Sequence, residues 1–185
     1  MPNLNNDLAR LLKDTFDTND KVNITFKAKE GMGSVDGIKS FTEYKNGVFN
    51  TTIDLNADVL KYATQEYILV TMYHEFIHAY LSYQVSTLPY DQYTAKFPKV
   101  SEYEVKDSNG NIIKKYALIK DHKNYGSFIE SLKNSIISFN PVITSSYAEA
   151  LAKNGIVESL TENESKINRN ERDTRNNEYK GKKCP

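Results

Sequence analysis

From Thr64 to Gln84 apolar side chains occupy nearly every position: Tyr67, Ile68, Leu69, Val70, Met72, Phe76, Ile77, Tyr80 and Leu81. That pattern predicts a helix covered on most of its sides. Unpaired polar groups on such a helix are costly. Yet TMYHEFIHAYLSY, residues 71 to 83, places two of the chain's 3 histidines there, with a glutamate directly after the first.

His74-Glu75-Phe76-Ile77-His78 has the form H-E-x-x-H. Residues four apart on an α-helix sit one turn up and about 40° around, so both imidazoles can reach one metal ion from the same face. Neutral imidazole nitrogens suit zinc, an open coordination position admits water, and a carboxylate beside it takes the proton as that water attacks a carbonyl. With 3 histidines in 185 residues, random order yields the pattern with a probability of roughly 0.3%. The competing reading is a core helix with two histidines hydrogen-bonded to backbone. Burial on this helix favours the metal.

A zinc site that keeps a position for water takes three protein ligands. His122, in KDHKNYGSF, is the first candidate for the third, with Glu149 on SSYAEALAK second. Asp121, Glu130, Glu102 and Glu104 are further carboxylates to weigh. HEFIHAYLSYQV lacks the form H-E-x-x-H-x-x-G-x-x-H, so the third ligand is not on the same helix and turn.

Around this helix, residues 4 to 16 show helical spacing, and KVNITFKA and GVFNTTIDLN alternate as half-buried strands. GMGSVDG reads as a connecting loop. The segment SEYEVKDSNGNIIKKYALI reads as a hairpin, with a helix over 111 to 119 as its rival, residues 123 to 139 as a helix stopped by Asn140-Pro141, and SSYAEALAKNG as a short helix with Gly155 past its end. The fold class expected is α+β: a small twisted, mainly antiparallel sheet packed on the His74–His78 helix, with further helices C-terminal to it. From Thr161 onward almost nothing is apolar, so 1–160 reads as one domain and 161–185 as a polar tail or a strap across it.

Lys plus Arg and Asp plus Glu number 24 each, which leaves no overall field for nucleic acid. The lone Cys184 excludes a cysteine zinc knuckle. No apolar run is long enough for a membrane span and no signal peptide is legible, so a soluble chain is expected.

HEFIHAYL resembles the active helix of SprT-like zinc metallopeptidases, in which H-E-x-x-H-A is followed by a distant histidine with an aromatic residue soon after. Asp121-His122 with Tyr125 and Phe128 resembles that second motif, although no glycine follows the histidine directly and the separation is longer. AEALAKNGIVESL and the segment after it look like the end of zincin domains at the C-termini of secreted bacterial polymorphic toxins. These resemblances imply a zincin-like fold and a toxin or effector domain, exported with a larger parent and met by a cognate immunity protein.

The expected function is a zinc-dependent peptidase: His74, His78 and His122 hold the metal, Glu75 is the general base, and Tyr125 or Tyr147 steadies the oxyanion. The substrate is a protein or peptide in extended conformation, pairing with strand 48 to 55 at the sheet edge. Rival readings are a zinc-dependent amidase acting on cell wall, a binding module with a structural metal or none, and a protease of DNA-crosslinked protein, which the neutral charge balance opposes.

Overall fold

Alternating strands in the first half build a three-stranded sheet. The computed structural model describes residues 21–96, 100–106, 112–118, 122–157 and 160–184, with the stretches between 96 and 128 described by their backbone alone. The helix expected over residues 4 to 16 lies outside the described residues.

Strand β1 (Val22–Lys29) pairs in parallel with β3 (Val48–Asn56), and β2 (Gly37–Lys45) pairs antiparallel with β3 on its other side, giving the order β1-β3-β2. The sheet is therefore mixed, within the α+β class expected. The strand around 48 to 55 is its centre, which corrects the expectation that it forms the edge. The strand missing from the sequence reading is β2. Its alternation breaks at a bulge between Lys39 and Phe41, so Lys39 faces the helix side while Phe41 is 50% exposed. Asn46 and Gly47, at φ 52° and 76°, close the β2-β3 hairpin. That is the two-residue turn an Asn-Gly pair favours.

Asn56 caps the short helix α1 (Ala57–Tyr62), and Thr64, whose side chain accepts from Tyr67 N at 3.3 Å, caps α2 (Gln65–Thr87). Helix α2 is covered on two sides. Toward the sheet, Ala79 and Met72 meet Ile53 and Leu55, and the Phe76 ring stands edge-on to Phe26 with centroids 5.0 Å apart. Toward the other helices, Tyr73 and Ile77 share a core with Leu132, Ile136 and Leu151. Full burial of each such side chain contributes about 1.5–3 kcal/mol.

After α3 (Tyr90–Lys96), strands β4 (Val100–Lys106) and β5 (Ile112–Leu118) form the expected hairpin, its turn lying outside the described residues. Helices α4 (His122–Phe139) and α5 (Ser145–Ala152) both pack on α2. The C-terminal segment forms helix α6 (Glu162–Arg172), started by a reciprocal cap between Thr161 and Glu164. It then turns at Thr174–Asn176 and crosses the start of α2, where Gln65 N donates to Lys182 O at 2.7 Å and Thr64 bridges Lys183. None of the helices in the described residues is long and apolar enough to cross a membrane.

Candidate metal centre

Four-residue spacing on α2 puts the His74 and His78 rings at 84° to one another with centroids 4.5 Å apart, and their Nε2 atoms 2.9 Å apart. Two neutral imidazoles meet like this when one Nε2 carries a proton and the other accepts it. The same convergence offers two lone pairs to a cation once that proton leaves. Glu75 is 5% exposed, and its Oε1 stands 3.8 Å from His74 Nε2. Ligand atoms of His74, Glu75 and His78 all lie within 4.8 Å of one another.

The donor set is nitrogen and oxygen, which suits zinc, and tetrahedral geometry with Zn–N of about 2.0–2.1 Å separates two ligand nitrogens by roughly 3.3 Å. The 2.9 Å found is close to that spacing. These residues fit the metal.

Two glycines bound the site. Gly37, the first residue of β2, lies so close that a Cβ there would be 2.8 Å from Glu75 Cγ. Gly155, past the end of α5 at φ 73°, would bring one within 3.0 Å of His74 Cε1. The left-handed backbone and the touching ring both call for glycine there.

His122 opens α4, which packs on α2, but its side chain and that of Tyr125 lie outside the described residues, as do Asp121 and the side chains of Glu102 and Glu104. The structure does not bring Glu149 to the two histidines. Its carboxylate pairs with Lys153 Nζ at 2.7 Å, one turn along the exposed side of α5. Glu130 likewise pairs with Lys133. Tyr147 is likewise engaged elsewhere. Its hydroxyl donates to Glu171 Oε1 at 2.5 Å inside the core, where burial first and then Glu171 push the phenol's pKa up.

Sequence reasoning missed Asp36, Tyr67 and Asn154. The Tyr67 hydroxyl donates to Asp36 Oδ2 at 2.6 Å and accepts from Asn154 Nδ2 at 3.0 Å. The only local signal was that Asp36 and Asn154 each precede one of the two glycines at the site.

A family model described as the SprT-like family matches residues 4–117, more than half of the chain. The chain belongs to the SprT-like family. This is a family of zincin-like metallopeptidase character, in agreement with the α+β fold and with a histidine pair that could bind zinc. The SprT-like match contains His74, Glu75 and His78 and stops before His122, Asn154 and Arg172. Comparison with curated proteins and with solved structures returned no match.

Proposed function

We propose that the protein is a zinc-dependent metallopeptidase in which His74, His78 and His122 hold the metal and Glu75 is the general base. The observation supporting this reading is the convergence of two Nε2 atoms at 2.9 Å beside a buried carboxylate. When bound, zinc supplies a Lewis acid that polarises a carbonyl and lowers the pKa of water to about 7.

Glu75 does the proton work. Its carboxylate takes a proton as the water oxygen bonds to the carbonyl carbon, then passes it to the amide nitrogen as the C–N bond breaks. One water enters, and one carboxylic acid and one amine leave. With the Tyr147 hydroxyl held by Glu171, Tyr125 is the remaining sequence-derived candidate for steadying the oxyanion.

Strand β2 supports an extended substrate. One side of β2 pairs with β3, no described strand pairs with the other, and Gly37 at its start touches Glu75. A substrate strand added to that edge passes the general base with its backbone pinned and its side chains alternating. Folded proteins cannot present backbone this way, so unfolded segments are the substrates expected.

The test pairs elemental mass spectrometry of zinc, in the parent chain and in His122→Ala, with digestion of an unfolded protein library. About one zinc per chain, lost in His122→Ala, with cleavage that disappears in Glu75→Gln, is the result expected. Zinc retained by His122→Ala removes that residue from the site. Release of peptides from purified cell wall, with the protein library left intact, replaces the peptidase by an amidase; zinc binding with neither activity leaves a binding module.

On the C-terminal resemblance alone, we infer further that the chain is a bacterial toxin or effector domain exported with a larger parent, with a cognate immunity protein as partner. Growth arrest on expression of the parent chain and not of Glu75→Gln is expected. Equal growth of the two strains removes that role.

A further inference from the structure

The two glycines at the metal centre each follow a polar residue, and both polar residues are held by one tyrosine. Asp36 precedes Gly37, which lies on Thr71 and Glu75; Asn154 precedes Gly155, which lies on the His74 ring. Tyr67 joins them, donating to Asp36 and accepting from Asn154. It is 2% exposed and stands two turns before His74 and Glu75 on the same helix.

A fourth residue closes the arrangement. Arg172 Nε donates to the other Asp36 oxygen, Oδ1, at 2.6 Å, and its Nη2 to Gly33 O at 3.1 Å. The Asp36 carbonyl accepts from Asn56 N at 2.9 Å, so backbone and side chain of Asp36 are both fixed. Burial, then the neighbouring Asp36 charge, raise the Tyr67 pKa, so the phenol stays protonated and keeps donating at neutral pH.

We propose that Asp36, Tyr67, Asn154 and Arg172 are positioning residues for the metal centre: one arm presses Gly37 against the Glu75 methylenes, the other presses Gly155 against the His74 imidazole. The proposal rests on the metallopeptidase reading of the same site. Neither arm touches a reacting atom. Each limits how far a chemically active side chain can swing, because the contacted glycine backbone fills the space a second rotamer needs.

The two arms act differently. Loosening the Asn154 arm frees the His74 ring and weakens metal binding; loosening the Asp36 arm displaces the Glu75 carboxylate and slows proton transfer with metal in place. Groups that orient a metal ligand from behind are typically worth 10- to 100-fold in affinity or rate.

The experiment compares the full-length parent with Tyr67→Phe, Asn154→Ala, Arg172→Ala and Arg172→Lys by zinc affinity against a chromogenic chelator, kcat and KM at saturating zinc, and Tm. A Thr161→Ala control removes a cap remote from the clamp. Tyr67→Phe is expected to weaken zinc about tenfold and to lower kcat about tenfold with KM within about twofold. Asn154→Ala moves mainly the zinc affinity, Arg172→Ala mainly kcat, and Arg172→Lys restores part of that loss. Thr161→Ala lowers Tm and moves neither.

Should Tyr67→Phe fail to fold, Asn154→Ala and the Arg172 pair decide alone. Variants that lose Tm but keep zinc affinity and kcat within about twofold of the parent overturn the proposal. A parent that binds zinc without cleaving protein sinks the peptidase reading, and the zinc affinities of Asn154→Ala and Tyr67→Phe still judge the clamp. For a parent that takes up no zinc, the imidazole NMR signals of His74 decide: a change in Asn154→Ala supports the clamp, and identical spectra overturn it.

Discussion

Glu66 and Glu75 lie on the same helix, 0% and 5% exposed, in surroundings of different kinds. Glu66 Oε1 accepts from Asn140 Nδ2 at 2.6 Å and Oε2 from Lys182 N at 2.7 Å. Beside it Glu171, also 0% exposed, accepts from the Thr64 and Tyr147 hydroxyls and from Lys180 N and Gly181 N. Those donors are amides and hydroxyls, groups that neither titrate near neutral pH nor leave. Glu75 faces an imidazole nitrogen and the backbone of an edge strand. A carboxylate saturated by fixed donors holds the chain in place, whereas one beside two histidines that could hold a metal is the one to which the proposed function gives the proton work.

Glu75→Gln tests that contrast with the largest expected effect. On the proposed function the amide keeps the shape and removes the base, so kcat is expected to fall by about 10²- to 10⁴-fold while zinc content and Tm stay at the parent's values. A Tm loss matching that of variants at the Glu66 end would show that Glu75, too, is a structural carboxylate, and the distinction would be gone.

Gly181→Ala is the counterpart at the other end of the helix. A Cβ there would run into Glu66 Oε2 and stand 2.5 Å from Glu171 Oε2 and 2.7 Å from Thr64 Cβ. Either the strap lifts away, leaving two carboxylates without their backbone donors, or the helix start distorts. A loss of about 3 kcal/mol in urea unfolding is expected, with zinc affinity of the folded fraction kept. Equal stability of the two proteins would mean that the strap contributes nothing to holding α2.

The same contrast decides what was legible in the sequence. His74, Glu75 and His78 are written within one helical turn, so their convergence follows from local geometry alone. Buried positions of β1, β3 and α2 were legible for the same reason: alternation and near-continuous apolar runs report burial directly. Glu66 gives no local sign of its role, since Asn140 and Lys182 come from far along the chain. Polar composition after Thr161 suggested a tail or a strap and no helix, because the buried Asn168 and Glu171 are polar and each is met by a partner elsewhere in the chain. Strand β2 was missed where its bulge breaks the period of two, although Asn46-Gly47 signalled the turn.

Glu164 offers the smallest and most graded test, because it is a third kind of carboxylate, surface-placed and charge-paired. Lys153 Nζ at 2.8 Å, followed by the Thr161 backbone N–H, lowers its pKa to about 2. A folded-state value below the unfolded one means stability present above about pH 4.5 and lost as pH falls toward 2. With its side chain 17% exposed, solvent screening discounts the contribution to about 1 kcal/mol. Glu164→Gln should therefore be about 1 kcal/mol less stable than the parent at pH 7 and no less stable near pH 2, as read from urea midpoints. At neutral pH it should leave kcat and zinc affinity unchanged, since α6 reaches the candidate metal centre through Arg172, at the opposite end of the helix from Glu164. If Glu164→Gln lowered kcat as Arg172→Ala is expected to, the whole of α6 would be coupled to the site, and the clamp would have no defined arm.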